Sequence, residues 1–76
     1  MMHTEFDGML YRWNYDGLMG VGNFERKADG ATTYLETGSD CQDIRESLKR
    51  LEARETPARF TTILDSLASE YAFHTD

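Results

Sequence analysis

The sequence is poor in the residues that most small functional sites need. Its 76 residues include one cysteine, one proline and two histidines. A lone Cys41 excludes a disulfide framework and any metal site built from several thiolates. His3 and His74 stand near opposite ends of the chain, so no spacing makes them a ligand pair. No apolar run approaches the ~18 residues that cross a bilayer, and the opening residues do not read as an export signal. The expectation is one soluble, cytoplasmic domain.

Bases are scarce too. Eight Lys and Arg stand against fourteen Asp and Glu, a formal charge of −6. Nucleic-acid affinity rests on phosphate neutralisation by cations, so this balance argues against direct DNA or RNA binding. The excess is greater in the first half, where residues up to Asp40 hold seven acids and three bases. Arg45, Lys49, Arg50, Arg54 and Arg59 are interrupted by Asp43, Glu46, Glu52 and Glu55, so they read as an ion-paired, solvated face. Glu46 and Arg50, four apart, are an expected pair.

What is present is turn chemistry. Asp-Gly occurs at Asp7-Gly8, Asp16-Gly17 and Asp29-Gly30. Between strand-like residues this dipeptide signals a two-residue hairpin turn. Three such turns predict an antiparallel meander of three to four strands, over about 2–6, 9–15, 18–27 and 31–37. A turn at Asp16-Gly17 would set Trp13 opposite Gly20 and Tyr11 opposite Gly22, each ring filling the space above a glycine. Alternation then places Phe6, Met9, Tyr11, Trp13, Leu18, Phe24 and Leu35 on a core face. The open face carries Leu10, Arg12, Asn14, Met19, Val21, Asn23, Glu25, Thr32, Tyr34 and Glu36.

The glycine-rich "DGLMGVGNFERKADG" invites a second reading, as a phosphate loop. Such a loop must end a strand and open a helix, whose amides then meet the phosphate. Here the glycines are followed by strand, turn and strand. The loop is rejected.

The second half reads as helix. "SDCQ" offers Ser39 as an N-cap with Gln42 in a capping box, followed by the apolar stripe Cys41, Ile44, Leu48 and Leu51. "TPARF" restarts with Thr56 as cap and Pro57 at the first helical position. Phe60, Ile63, Leu64, Leu67, Ala68 and Tyr71 form the second stripe. The expectation is a single α+β domain over 1–76. Residues 1–38 form the sheet, and 39–76 form two antiparallel helices packed on one of its faces. Cys41 at a helix start could carry a reactive thiol, but its place in the stripe makes it a core residue. No nucleophile, carboxylate pair or cofactor motif emerges. The sequence predicts no enzyme, cofactor or metal.

Acidic turn tips at Asp7, Asp16 and Asp29, with Glu25 and Glu36, followed by "CQDIRESLKRLEAR", make the chain similar in general character to small phage-encoded anti-CRISPR proteins. That resemblance implies a stoichiometric inhibitor. It would dock on a CRISPR-Cas effector or surveillance complex inside a bacterial cell and block target DNA. The five acids would stand in for phosphates on a Lys/Arg-lined surface, with Met19, Val21 and Tyr34 as anchors. The alternative is a homo-oligomeric structural or accessory subunit whose open sheet face packs on its own copy.

Overall fold

The structure, a computed structural model, describes residues 1–75. Strands β1 (His3–Asp7), β2 (Tyr11–Asp16), β3 (Val21–Arg26) and β4 (Glu36–Thr37) form an antiparallel sheet in chain order. Helices α1 (Gly38–Arg54) and α2 (Pro57–Ser69) follow, and their buried residues join those of the sheet in one core. This is the α+β meander with helices that the Asp-Gly spacing predicts.

The turns differ from expectation. A type I′ turn needs positive φ at the aspartate, and no described residue other than glycine adopts it. Instead Asp16 pairs with Val21 around a four-residue loop. Gly20 closes that loop at φ 68°, donating its N–H to the Asp16 carbonyl at 2.8 Å. The same design recurs between Arg26 and Ala31, where Gly30 at φ 75° donates to the Arg26 carbonyl at 2.8 Å. The aspartates staple these loops from within. Asp16 Oδ1 accepts the N–H groups of Leu18 and Met19 at 3.0 and 3.1 Å, and Asp29 Oδ1 accepts that of Ala31 at 3.1 Å. Short carboxylates commonly bind amides two or three residues ahead in this way.

The longer loop slips β3 by four residues against the expected register. An even slip keeps every side chain on its face, so Trp13 and Phe24 still point inward and oppose each other. Gly22, rather than Gly20, lies beneath the Trp13 ring. Met9, Leu18 and Leu35, expected in the core, are exposed because the strands end before reaching them.

The core is largely aromatic. Trp13 meets Phe24 at 5.0 Å between centroids, Phe24 meets Tyr71 at 5.0 Å, and Phe6 meets Phe60 at 6.0 Å. Cys41, Leu48, Leu64 and Ala68 bring the helical stripes to these rings, all fully buried. Thr56 caps α2 as expected, its Oγ1 accepting the Arg59 N–H at 3.3 Å. At α1 the cap residue is Thr37, without a side-chain bond, so the Ser39–Gln42 capping box is not formed. Gln42 instead accepts from Arg45 and donates to the Tyr15 hydroxyl. Glu46 and Arg50 form no ion pair among the described residues.

Two irregularities redirect side chains. A bulge between Thr4 and Phe6 lets Glu5 join Phe6 on the helix side. There its carboxylate accepts from Arg45 Nη2 at 2.6 Å, Arg45 Nε at 2.9 Å and Trp13 Nε1 at 3.2 Å. The second lies before β4. Thr32 bridges Glu25 while Glu36 pairs with Gly22, so this side spends one more residue than β3 does. The Thr33 hydroxyl fills the gap by accepting the Phe24 N–H at 3.0 Å.

Asp65 of α2 clasps the β1–β2 loop. Its carboxylate accepts the N–H groups of Met9, Leu10 and Tyr11 at 3.1–3.2 Å. A Cβ on Gly8 would run into Asp65 Oδ1 and sit 2.9 Å from the Tyr11 carbonyl oxygen. Asp65→Ala is therefore expected to cost about 1–2 kcal/mol, because three amides lose a charged acceptor and only some of them reach water. Urea melts would show it as a lower midpoint, while Ser66→Ala, on the exposed side of the same turn, would leave the midpoint in place.

Candidate protein-docking surface

The acids expected to face a partner are mostly engaged within the chain. Asp7 pairs with Lys27 at 2.7 Å and Asp29 with Arg26 at 2.7 Å. The Arg26 guanidinium and the Ala31 amide push the Asp29 carboxyl down to about 2. Asp16 meets the terminal ammonium at 3.0 Å, which with the Met19 and Leu18 amides holds its carboxyl below the ordinary value. Glu25 accepts from Asn14 Nδ2 at 2.9 Å within a network that also joins Thr4 and Asn23. That network makes the centre of the open sheet face polar, although the neighbouring Arg12 Nε is buried without a partner.

The eight expected residues do not share one surface. Asp7 and Asp29 lie at the end of the sheet where β1 meets β2 and β3 leaves it. Asp16 and Met19 lie at the opposite end. Val21 is half-buried on the open face, and Tyr34 is exposed with its ring 4.3 Å from that of His74. Glu36 pairs with Gly22, so the extra residue before β4 turns it to the helix side, not the open face.

That reversal puts Glu36 on the side of the sheet that faces the helices, which sequence reading missed. The hydroxyl of Tyr71 is pushed above its ordinary 10.0, first by burial and then by Glu36, Glu70 and Asp40, in that order. None of the three carboxylates forms an ion pair among the described residues. Tyr34 and Leu35, at 75% and 55% exposure, directly precede Glu36 in the chain. Asp40 stands in the first turn of α1, and Glu70 is the C-cap residue of α2. Their common influence on Tyr71 becomes apparent only once the chain has folded.

The remaining concavities are shallow. The one lined by Met9, Leu10, Tyr11, Arg26, Lys27 and Ala28 measures ≈ 450 Å³, and both its cations are already paired. Cys41 is fully buried, and burial pushes its thiol up, the reverse of what an activated nucleophile requires. No group of three or more His, Cys, Asp or Glu among the described residues could hold a metal ion. No helix among them is long and apolar enough to cross a membrane.

Comparison with protein-family models, curated proteins and solved structures gives no match. The functional reading therefore stands on this surface and on the charge of the chain.

Proposed function

We propose that this domain is a non-catalytic protein-binding inhibitor that docks on a Lys/Arg-lined, nucleic-acid-binding surface. The resemblance to anti-CRISPR proteins makes that surface part of a CRISPR-Cas complex in the cytoplasm of a bacterial host. The observation that carries the reading is the set Glu36, Asp40 and Glu70. These three carboxylates, like Asp43, Glu46 and Glu52, form no ion pair among the described residues, and the chain carries a formal charge of −6. Such a flank is attracted to sites built to hold phosphates and speeds encounter with them. Asp16 and Asp29 drop out as mimics because their charge serves their own loops.

The test is target-DNA binding by purified CRISPR-Cas surveillance complexes, followed by mobility shift with and without a molar equivalent of this protein. The expected result is loss of the DNA complex, with about tenfold more protein required once Glu36→Gln, Asp40→Asn and Glu70→Gln are combined, equivalent to ~1.4 kcal/mol. DNA binding that survives excess wild-type protein would overturn the reading. So would a folded triple variant as potent as the parent.

A further inference from the structure

Leu18 and Met19 are 90% and 69% exposed, although they sit on an ordered loop. Exposed apolar side chains are ordinary when scattered. Two adjacent ones, held outward by a rigid turn, are not explained by packing, since the loop has no core to cover. Four bonds fix its backbone and base. The Asp16 carboxylate takes the N–H groups of Leu18 and Met19 and the terminal ammonium, while Gly20 donates to the Asp16 carbonyl. The ordering cost of presenting these side chains is thus met before any encounter, which favours tight binding.

The cations near this tip are already engaged, the terminal ammonium by Asp16, and Arg45, which lies over the Tyr15 ring, by Glu5, so the charges left here are acidic. Val21, which ends the loop, pairs with Thr37, and the next pair is Gly22 with Glu36. The loop thus lies at the end of the sheet where β4 passes into α1 and Asp40 follows. No Lys or Arg lies within the segments 16–22 or 34–41 that build this end.

We infer that the Leu18–Met19 tip is an apolar anchor and that its occupant is a partner protein with an apolar pocket flanked by Lys and Arg. This rests on the docking proposed above and adds the element that sets the lifetime of the complex. Charge accelerates approach, whereas a desolvated apolar contact slows departure. A polar tip would serve a purely electrostatic contact equally well. A second copy of this chain fits less well, because its own tip would bring a like-charged flank with it.

The experiment uses two defined probes of equal charge, an oligolysine and an amphipathic Lys/Leu helical peptide, titrated into the labelled protein by NMR and calorimetry. The Lys/Leu peptide is expected to shift the Leu18, Met19 and Gly20 amides and to bind about tenfold tighter than oligolysine, as burial of one large apolar side chain implies. Leu18→Ser with Met19→Ser should erase that advantage and leave oligolysine binding unchanged. Equal affinity for the two probes, or an advantage that survives both serines, overturns the anchor. So does a dimer in light scattering that the serines dissolve, which would make the occupant a second copy. Loss of the anchor effect alone leaves the acidic docking intact. If the Glu36, Asp40 and Glu70 neutral variant binds both probes as tightly as the parent, the electrostatic basis of the proposed function fails instead.

Discussion

Gly22→Val should leave a chain that does not fold cooperatively at room temperature, with no sigmoidal melt by circular dichroism. A Cβ at this position would run into Trp13 Cζ2 and sit 2.7 Å from both Trp13 Cη2 and the Asn14 carbonyl oxygen. Neither neighbour can give way. Trp13 is fully buried against Phe24, and Asn14 is backbone of the central strand β2. Valine adds two methyls to the same collision. The expected cost is about 4 kcal/mol or more, against a total stability of roughly 4–11 kcal/mol for a chain this long. Gly20→Ala is the control. Nothing lies within 4 Å of its added Cβ, so only the strain of φ 68° remains, about 1–2 kcal/mol. A Gly20 variant more damaged than the Gly22 variant would show that the register of β2 on β3 has been misassigned.

The second large effect belongs to Glu5. Glu5→Ala removes the acceptor of the Arg45 guanidinium and of the Trp13 indole N–H together. Arg45 is also held 3.6 Å above the Tyr15 ring, so it cannot swing fully into water without giving up that contact. Both partners of the pair retain 17% side-chain exposure, which puts the cost below that of a fully buried pair, at about 2–3 kcal/mol. For a domain of this size that lowers Tm by about 10–20 °C.

The Glu5 carboxyl is held below its ordinary 4.5, chiefly by the hydrogen bonds from Arg45, with burial opposing. A carboxylate with a depressed folded-state pKa stabilises the fold at pH values above its unfolded pKa. That stabilisation is lost as pH falls through the folded value. Wild type should therefore lose stability as pH drops below about 4.5, and Glu5→Gln should flatten that part of the profile. A Glu5→Gln profile parallel to wild type would place the acid sensitivity elsewhere.

How much of this was legible follows from the range of each interaction. The meander and both helices announce themselves through residues close in sequence, such as Asp-Gly, Thr56-Pro57 and the Phe60–Leu64–Ala68 stripe. Faces survived an error in loop length because the slip of β3 was even. Glu36 did not, because a single extra residue before β4 reverses a face, and no local signal marks where it is inserted. The Glu5–Arg45 and Asp65 contacts span 40 and 54–56 residues, too far for any spacing rule. The internal engagement of the expected docking acids was hidden for a related reason. A carboxylate beside a glycine reads as an exposed tip, whereas Asp16 and Asp29 spend their charge on the amides and cations of their own loops. Among the acids without an ion pair, Asp40 has no local mark beyond its place in the first turn of α1, and Glu70 has none.

The Asp65 clasp also has a bearing on the order of events in folding. The β2–β3 hairpin joins residues that are close along the chain and can close early. The clasp must wait until α2 has formed and returned to the β1–β2 loop, because loop closure over such distances comes late in the search. The contact is therefore absent from the folding barrier and present only on the native side of it. In chevron kinetics the Asp65→Ala variant should refold at the wild-type rate and unfold faster. Asp65 thus acts as a latch on a finished structure, governing how long the fold persists and not how quickly it is reached.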